Sequence, residues 1–347
     1  LRLLSYNIFL RPPGIKNNIS DYKNARLTHF GERVLKNYDV VCLQEMFAYG
    51  SSRQNKMIQY ARKAGLEYYV SSPSKGLLNA MVDGGLLLMS RYPIVRSERM
   101  TYKRGMHSDR FSAKGAVYAK IAVSPTVHIH VFTTHMQSTY EANATLTDPS
   151  VVVRLNQIVS FKEFIDDCTR GKPAGEPILI LGDMNVNARR TPGQGQDSEE
   201  YQLMMRILRG EITSAPVPAP LGVAPNPTAK PIAPVRFRVH DLALASYGEH
   251  PITFGDVVDF ESRVPRETAL TAPECLRSCG SIDHVLWLNS VDDADLNKDA
   301  KGIKVDIAGT KVQKFMVEGE PFSQLSGKLV CWRFLTWLFF CQFNLVC

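Results

Sequence analysis

Residues 177–187, PILILGDMNVN, contain four consecutive aliphatic residues that are followed at once by Gly182 and Asp183. A short aliphatic run between a proline and a glycine is typical of a β-strand that is buried on both faces. Side chains alternate along a strand, so Asp183 and Asn185 are expected on the same side. Because burying an unpaired carboxylate costs free energy, Asp183 is expected beside a cation or a hydrogen-bond donor. The alternative interpretation is an ordinary turn that begins at Asp183.

The same arrangement, an apolar strand-like run with a polar side chain at its end, recurs along the chain. The runs LRLLSYN, DVVCLQE, VHIHVFTTH, PILILGD and SIDHVLW carry, in chain order, Asn7, Glu45, His135, Asp183 and Asp283. In layered α/β proteins, sites cluster at strand ends, where rigid elements hold the side chains. Each residue alone has an ordinary explanation, such as a turn, an ion pair or a buried histidine. The repetition favours a functional site.

The residue types at these strand ends suggest a ligand. Glu, Asp and Asn supply oxygen donors, which suit a hard divalent cation such as Mg²⁺. The set contains no thiolate, which argues against a structural zinc site. His135 and Asn185 can donate hydrogen bonds to an anion. A hard cation beside such donors is what phosphoryl chemistry requires, because charge on the phosphate oxygens must be stabilised and a water activated.

Strand-like and helical segments alternate along the chain. Strands are predicted at 1–10, 39–47, 84–90, 115–123, 127–137, 178–185, 282–289 and 312–318, and helices at 22–38, 151–168 and 198–208. This mixture predicts an α/β or α+β layered sandwich. Residues 214–236 contain seven prolines and are predicted to be an extended insertion within one domain.

The composition allows a sizeable core and an anionic partner. The chain has 347 residues, of which 44% are hydrophobic and 22% charged. These fractions are close to those of a typical soluble domain. The net charge of +7 is compatible with nucleic acid, an anionic membrane surface or a phosphate ester, or with a mildly basic surface that binds nothing.

The motifs SYNIFL, LQEMF, TTHMQS, GDMNVN and SIDHV together resemble the endonuclease/exonuclease/phosphatase superfamily in order and approximate spacing. The resemblance covers nearly all of residues 1–326, which we therefore interpret as one catalytic domain. It implies a four-layer α/β/β/α sandwich, in which two central mixed β-sheets are flanked by helices.

Within that superfamily, the chain is most similar to neutral, Mg²⁺-dependent sphingomyelinases. Three segments carry this similarity: SYNIFLRPPGIKNN, SAKGAVYAKI at 112–121, and THMQS. The resemblance implies in-line attack of water on the phosphodiester of sphingomyelin, which releases phosphocholine and leaves ceramide. The implied partners are this substrate and a phospholipid membrane surface, with nucleic acid the weaker prediction. A membrane-associated or secreted location is favoured over a nuclear one.

The resemblance also implies roles for individual residues. Glu45 would bind Mg²⁺ (or Mn²⁺), with Asn7 close by. Asp183 and Asn185 would place the attacking water and a phosphate oxygen. His135 would donate a hydrogen bond to the phosphate. Two further roles concern Asp283, which would orient a catalytic histidine, and Lys114, which would bind the substrate phosphate or be a plain surface lysine.

The C-terminus departs from the family pattern. The family ends its core with Ser-Asp-His, whose histidine is the general base, whereas here Ser326 is followed by Gly327 and Lys328. His284 is not expected to substitute, because it adjoins Asp283 in a strand and must face the other way. Activity is therefore expected to be impaired. Residues 327–347 form an apolar tail that we interpret as foreign to the native fold, as an unremoved intron would produce; the alternative is a membrane anchor.

Two other functions stay open at this point. One is a DNA endonuclease of the same superfamily, which the positive charge allows, although the loops show no clear Arg/Lys cluster with interleaved aromatic residues. The other is a catalytically inactive lipid-binding homologue that keeps the metal site and has lost the base.

Overall fold

The computed structural model describes residues 1–18, 20–73, 82–139, 144–191, 194–215, 233–255, 257–259, 264–265, 268–271, 273, 276, 278–291, 303–305, 309–326 and 330–337. The strands are β1 Arg2–Leu10, β2 Val40–Met46, β3 Tyr68–Ser71, β4 Leu87–Ser90, β5 Ile94–Thr101, β6 Gly115–Ser124, β7 Val127–His135, β8 Ile178–Asp183, β9 Arg189–Thr191, β10 Gln194–Asp197, β11 Phe237–Asp241, β12 Val257–Asp259, β13 Val264–Pro265, β14 Asp283–Ser290, β15 Ile303–Val305, β16 Lys311–Gln313 and β17 Val330–Trp337. The α-helices are α1 Lys23–His29, α2 Arg53–Lys63, α3 Pro149–Thr169, α4 Glu199–Leu208 and α5 Leu242–Tyr247.

Most of these strands form two mixed sheets. The first sheet has the order β15-β17-β1-β2-β4-β3, and β16 also pairs with β17. The second has the order β11-β14-β8-β7-β6-β5. The strand pairs β9–β10 and β12–β13 form separate two-stranded ribbons.

Three hydrophobic clusters separate four layers. One lies between the two sheets and includes Val40, Leu88, Val131 and Leu179. The second packs the outer face of the first sheet against the α1 and α2 side. The third packs the second sheet against α3 and α4. Since side chains alternate across a strand, each central strand contributes to the inter-sheet core on one face and to a helix-facing core on the other. The predicted four-layer α/β/β/α sandwich is confirmed.

Two parallel strand pairs bring the predicted site residues to one edge. β1 pairs in parallel with β2, and β7 pairs in parallel with β8, so the carboxyl ends within each pair coincide. β14 runs antiparallel to β8, and its first residue therefore lies at that same edge. In register, His135 stands opposite Asp183, and Asp183 stands opposite Asp283.

The predicted elements are largely present, with two differences. The segment 22–38, predicted as one helix, divides into α1, a π-helical turn at Phe30–Val34 and a 3₁₀ turn at Leu35–Asn37. Gly31 lies in the π-helical turn, where a Cβ would be 2.5 Å from the ring of Tyr60, so this turn and α2 approach closely. The strand predicted at 312–318 is limited to β16.

The insertion and the tail are described only in part. Residues 216–232 of the proline-rich segment, and residues 327–329 and 338–347 of the tail, lie outside the described residues. Within the tail, the backbone of Val330–Trp337 forms β17 and pairs antiparallel with β1. Among the described residues, no helix has the length and apolarity needed to cross a bilayer. The interpretation of the tail as foreign, and the domain boundary at Ser326, stay predictions.

Candidate active site

Asn7 connects the two sheets at the edge where the polar residues meet. Its side-chain amide donates one hydrogen bond to Glu45 Oε1 and another to Asp183 Oδ2, both at 2.9 Å. Its Oδ1 accepts a hydrogen bond from the Phe9 amide at 3.1 Å. Asn7 and Asp183 are fully buried. The buried carboxylate of Asp183 therefore has the hydrogen-bond donor that the sequence led us to expect.

Glu45 and Asn185 both have left-handed backbone conformations, with φ of 55° and 54°. Non-glycine residues rarely adopt this region, and its cost is tolerated mostly where a side chain must be aimed at a site. At Glu45 the strand turns against Gly85, whose own φ is +68° and where a Cβ would lie 3.2 Å from the Glu45 Cα. The turn leaves the Glu45 side chain half-buried at the site opening.

His135 is buried between a carboxylate and an ammonium group. Its Nε2 lies 3.8 Å from Asp183 Oδ2 and 3.3 Å from Lys114 Nζ. Burial and the neighbouring Lys114 lower the pKa of His135 to about 4, against the opposing effect of Asp183 and Glu45. The imidazole is therefore neutral at neutral pH. Because an ammonium group can only donate, Nε2 is the acceptor and Nδ1 carries the proton.

Lys114 is buried, so the alternative of a plain surface lysine is wrong. Its Nζ donates to Asp109 Oδ2 at 2.8 Å and to the Met136 carbonyl at 2.7 Å, in addition to its contact with His135. Burial raises the pKa of the Asp109 carboxyl, but Lys114 and His135 outweigh it and the pKa is lowered. Asp109 was not predicted from the sequence, because it lies in a short 3₁₀ turn and follows no apolar strand.

Asn185 and Asp283 complete the edge. The Asn185 amide N donates to Asp183 Oδ1 at 3.1 Å, and its side-chain amide donates to the Met136 carbonyl at 2.9 Å. Asp283 begins β14 directly opposite Asp183, and its amide donates to Thr253 Oγ1 at 3.0 Å. All seven residues selected from the sequence thus meet at one edge of the sandwich, although their roles stay predictions.

His284 points away from this edge. It is buried beside α4, with Nε2 2.9 Å from the Val186 carbonyl and Nδ1 3.5 Å from Asp241 Oδ2. Its interaction with Asp241 outweighs burial and raises the pKa of the imidazole. His284 is therefore a structural histidine on the opposite face of β14.

Ser326 brings the C-terminal segment to the site. Its hydroxyl donates to the Asn7 carbonyl at 2.9 Å. The preceding carbonyl, that of Leu325, accepts a hydrogen bond from the buried Arg26, whose guanidinium also binds the carbonyls of Ile8 and Phe9. The chain therefore arrives next to Asn7 at the position where the Ser-Asp-His motif was expected.

The donors at this edge fit a hard divalent cation. Within the described part of the chain, no group of three or more His, Cys, Asp or Glu side chains is arranged as a metal site. Glu45 is half-exposed, and among the described residues only its Oε1 accepts a hydrogen bond. A half-exposed carboxylate suits Mg²⁺, which keeps several waters and commonly binds one or two carboxylates plus substrate phosphate. The Asn7 amide donates its N–H groups to Glu45 and Asp183, and its Oδ1 accepts from Phe9, so Asn7 orients the carboxylate beside it. Zinc, which prefers four protein ligands in structural sites, does not fit.

Comparison with known proteins identifies the family. The model of the endonuclease/exonuclease/phosphatase family matches residues 4–287. A sphingomyelinase of Dictyostelium discoideum is 33% identical over 363 residues, which cover 91% of this chain and 75% of the relative. Sphingomyelinase C of Bacillus cereus is 28% identical over 62% of this chain, and the match spans 65% of the relative's length.

Solved structures share the fold. The beta toxin of Staphylococcus aureus, as a double mutant with bound magnesium ions, superimposes with a TM-score of 0.60 at 19% identity, covering 96% of this chain and 99% of the toxin chain. The similar curated proteins include sphingomyelinases and a phospholipase C. From the match to the family model and the sequence identity to the amoebal relative, the chain belongs to the endonuclease/exonuclease/phosphatase family.

Proposed function

We propose that this protein is a Mg²⁺-dependent phosphodiesterase of the phospholipase C type that hydrolyses sphingomyelin to ceramide and phosphocholine. The observation that carries the proposal is the bridge from Asn7 to both Glu45 and Asp183, which joins a candidate cation ligand to a candidate water-binding carboxylate. The amoebal and bacterial relatives named sphingomyelinases support the choice of substrate.

Glu45, with Asn7 beside it, would hold the cation, Mg²⁺ or Mn²⁺. When bound, the cation would stabilise negative charge on the non-bridging phosphate oxygens. The magnesium in the beta toxin of the same fold supports this choice.

The remaining residues would orient water and phosphate. Asp183 would accept a hydrogen bond from the attacking water, since its carboxylate lies between Asn7, His135 and Asn185. Asn185 would bind a phosphate oxygen with the part of its amide that does not contact Met136. His135 Nδ1 is buried and has no hydrogen-bond partner among the described residues, so it is a candidate donor to the phosphate.

Lys114 would act on the phosphate through its charge. Its three N–H groups are occupied by Asp109, Met136 and His135, so direct hydrogen bonding would require rearrangement. The ammonium group still contributes positive charge within a buried site, where electrostatic interactions are stronger than in water.

The general base is the missing component. Asp283 would orient a histidine two residues after Ser326, and the chain has Gly327 and Lys328 in place of Asp-His. Loss of a general base typically lowers the rate by about 10²–10⁴-fold. The chain should therefore be a slow enzyme, and restoring Asp-His after Ser326 should raise its rate.

The test is phosphocholine release from sphingomyelin vesicles with Mg²⁺ and with EDTA. Three proteins are compared: the wild-type chain, the double variant Gly327→Asp/Lys328→His, and that double variant with Glu45→Ala. We expect slow Mg²⁺-dependent release by the first, faster release by the second and none by the third. Absence of release from the double variant would reject the sphingomyelinase proposal. Cleavage of plasmid DNA by it instead would favour an endonuclease, and vesicle binding without turnover an inactive lipid-binding homologue.

A further inference from the structure

Four loop segments are connected by hydrogen bonds into an arc beside the site. We define the arc as residues 11–18, 48–52, 82–84 and 103–113. Arg53, directly after the second segment, donates to the Arg11 carbonyl at 3.2 Å and so connects the first two segments. The amides of Ala48 and Tyr49 both donate to Asp83 Oδ2 at 3.0 Å, which connects the second and third. Ser112 Oγ donates to the Asp83 carbonyl at 2.9 Å, which connects the third and fourth.

Three of the four segments of the arc lie close to the site residues. The first segment directly follows β1, which carries Asn7, and the second follows the strand that ends beside Glu45. In the fourth segment, the Met106 amide donates to Gln137 Oε1 at 2.7 Å, two residues beyond His135. A surface that contacts the arc would therefore also be close to the site opening.

The arc exposes large apolar side chains. Ile15 is 50% exposed, Tyr49 is 40% exposed and Phe111 is 38% exposed. Exposed apolar residues are common on any surface when they are scattered, but three on one connected set of loops beside a site are more informative.

Exposed cations accompany these apolar residues. Lys16 adjoins Ile15, and Arg104 and Arg110 belong to the fourth segment. The Arg104 Nε donates to the Arg110 carbonyl at 3.3 Å, and the Arg110 guanidinium lies over the ring of Phe111, 4.7 Å from its centroid. These contacts hold the two arginines in the same part of the loop.

Carboxylates do not neutralise this surface. The four segments contain two acidic residues, Asp83 and Asp109. Asp83 is buried and binds backbone amides, while Asp109 is bound to Lys114 and to the Ser138 amide. Within the described residues of the arc, no exposed carboxylate is present, so its outer face is cationic.

We propose that the arc is a docking surface for a bilayer that contains anionic phospholipid. Cations on such a surface are attracted to the headgroups, while isoleucine and aromatic side chains enter the interfacial region. The proposal deepens the proposed function, since it adds a dependence on anionic lipid to a site expected to act on sphingomyelin. Nucleic acid would use the cations, but it offers no apolar layer for Ile15 and Phe111.

The experiment measures binding separately from catalysis. Co-sedimentation is measured with phosphatidylcholine vesicles and with vesicles that also contain phosphatidylserine, both without sphingomyelin. The wild-type chain is compared with the arc variant Lys16→Gln/Arg104→Gln/Arg110→Gln. The matched control, Arg33→Gln/Lys36→Gln/Lys63→Gln, removes three exposed cations from the helical segments that lead into β2 and β3 at the opposite edge.

The wild-type chain should prefer the anionic vesicles, and salt should weaken the binding. One basic residue near an anionic surface contributes about fivefold in affinity, so the arc variant should lose about 10²-fold and the control little. Equal losses in both variants, no loss in the arc variant, or no preference for anionic vesicles would overturn the proposal. Duplex DNA binding that depends on the arc, without vesicle binding, would also overturn it.

These outcomes are independent of turnover. If the arc variant loses vesicle binding while Gly327→Asp/Lys328→His releases no phosphocholine, the docking surface stands and the proposed function fails. If that double variant is active and the arc variant binds vesicles as the wild-type chain does, the proposed function stands and the docking surface fails.

Discussion

The side-chain amide of Asn7 donates a 2.9 Å hydrogen bond to the carboxylate of Asp183, although the two residues lie on strands of different sheets. The same amide binds Glu45. Three polar side chains at the edge of the sandwich are thus held together at the boundary between its two inner layers. None of the three side chains belongs to the hydrophobic clusters, but Asn7 and Asp183 are fully buried, so a change that leaves the Asp183 carboxylate without its donor should also cost stability.

Replacing Asp183 with asparagine should abolish most phosphodiesterase activity. The substitution keeps the volume but removes the charge that would align the attacking water, and we expect a loss of about 10²–10⁴-fold in kcat. The measurement is phosphocholine release in the Gly327→Asp/Lys328→His background. Asp39→Asn is the matched control, since Asp39 binds Arg91 and the Arg2 amide at the opposite edge. Similar rates for the two variants would contradict a catalytic role for Asp183.

Mg²⁺ should stabilise the wild-type chain through Glu45, whether or not the chain is active. A cation that binds only the folded state stabilises it by about 2.7 kcal/mol at a hundredfold excess over its Kd. The check is thermal unfolding with Mg²⁺ and with EDTA. Relative to EDTA, Mg²⁺ should raise the Tm of the wild-type chain and leave the Tm of Glu45→Gln unchanged. Asp39→Asn should respond as the wild type does. An equal rise in Glu45→Gln would place the cation elsewhere.

Arg154→Ala should destabilise the fold by about 3–5 kcal/mol, because the buried guanidinium would be lost, leaving the half-buried Glu200 without its counterion and the Gln137 carbonyl without its donor. Arg154 is almost fully buried and binds Glu200 through two nitrogens at 2.6 and 2.8 Å, as well as the Gln137 carbonyl at 2.7 Å. Urea unfolding measures the change. Arg206→Ala, which removes an exposed 3.5 Å pair with Glu211, should change the unfolding free energy by less than about 1 kcal/mol. Comparable losses would contradict the assignment of Arg154 as a structural residue.

Stability should fall as pH drops from about 6.5 towards 4, partly because of His130. Burial lowers the pKa of His130 to about 4, despite its hydrogen bond with Glu176, whereas an unfolded histidine titrates near 6.5. Between these values the unfolded chain binds the proton and the folded chain does not, so the unfolding free energy must decrease with decreasing pH.

His130→Gln tests this assignment, because glutamine can hydrogen-bond to Tyr118 and Glu176 without titrating. The slope of unfolding free energy against pH should be smaller in His130→Gln than in the wild type over this interval. His128→Gln is the control, since His128 binds the same carboxylate from a more exposed position. An unchanged slope in His130→Gln would contradict the predicted linkage.

The strands and their polar ends could be predicted because both are local properties of the chain. The run Ile178–Leu181 is apolar on both faces and stops at Gly182, so a buried strand that delivers Asp183 follows from neighbouring residues alone. The motifs at the ends of five such runs resemble those of the endonuclease/exonuclease/phosphatase superfamily, and that resemblance implied the layered sandwich. The single helix predicted over 22–38 continues from Phe30 as a π-helical turn and a 3₁₀ turn, and the contact of Gly31 with Tyr60 in α2 could not be predicted from neighbouring residues.

By itself, the sequence determined the strands that carry the polar residues, which residues stand at their ends and where the Ser-Asp-His motif is absent, since each depends on side chains a few positions apart. Only the tertiary structure decided that Asn7 bridges two sheets, that Lys114 is buried in contact with Asp109 and His135, and that Ser326 donates a hydrogen bond to Asn7. These contacts join residues up to 319 positions apart. They depend on strand register and on how two sheets pack, and neither is encoded in any one segment.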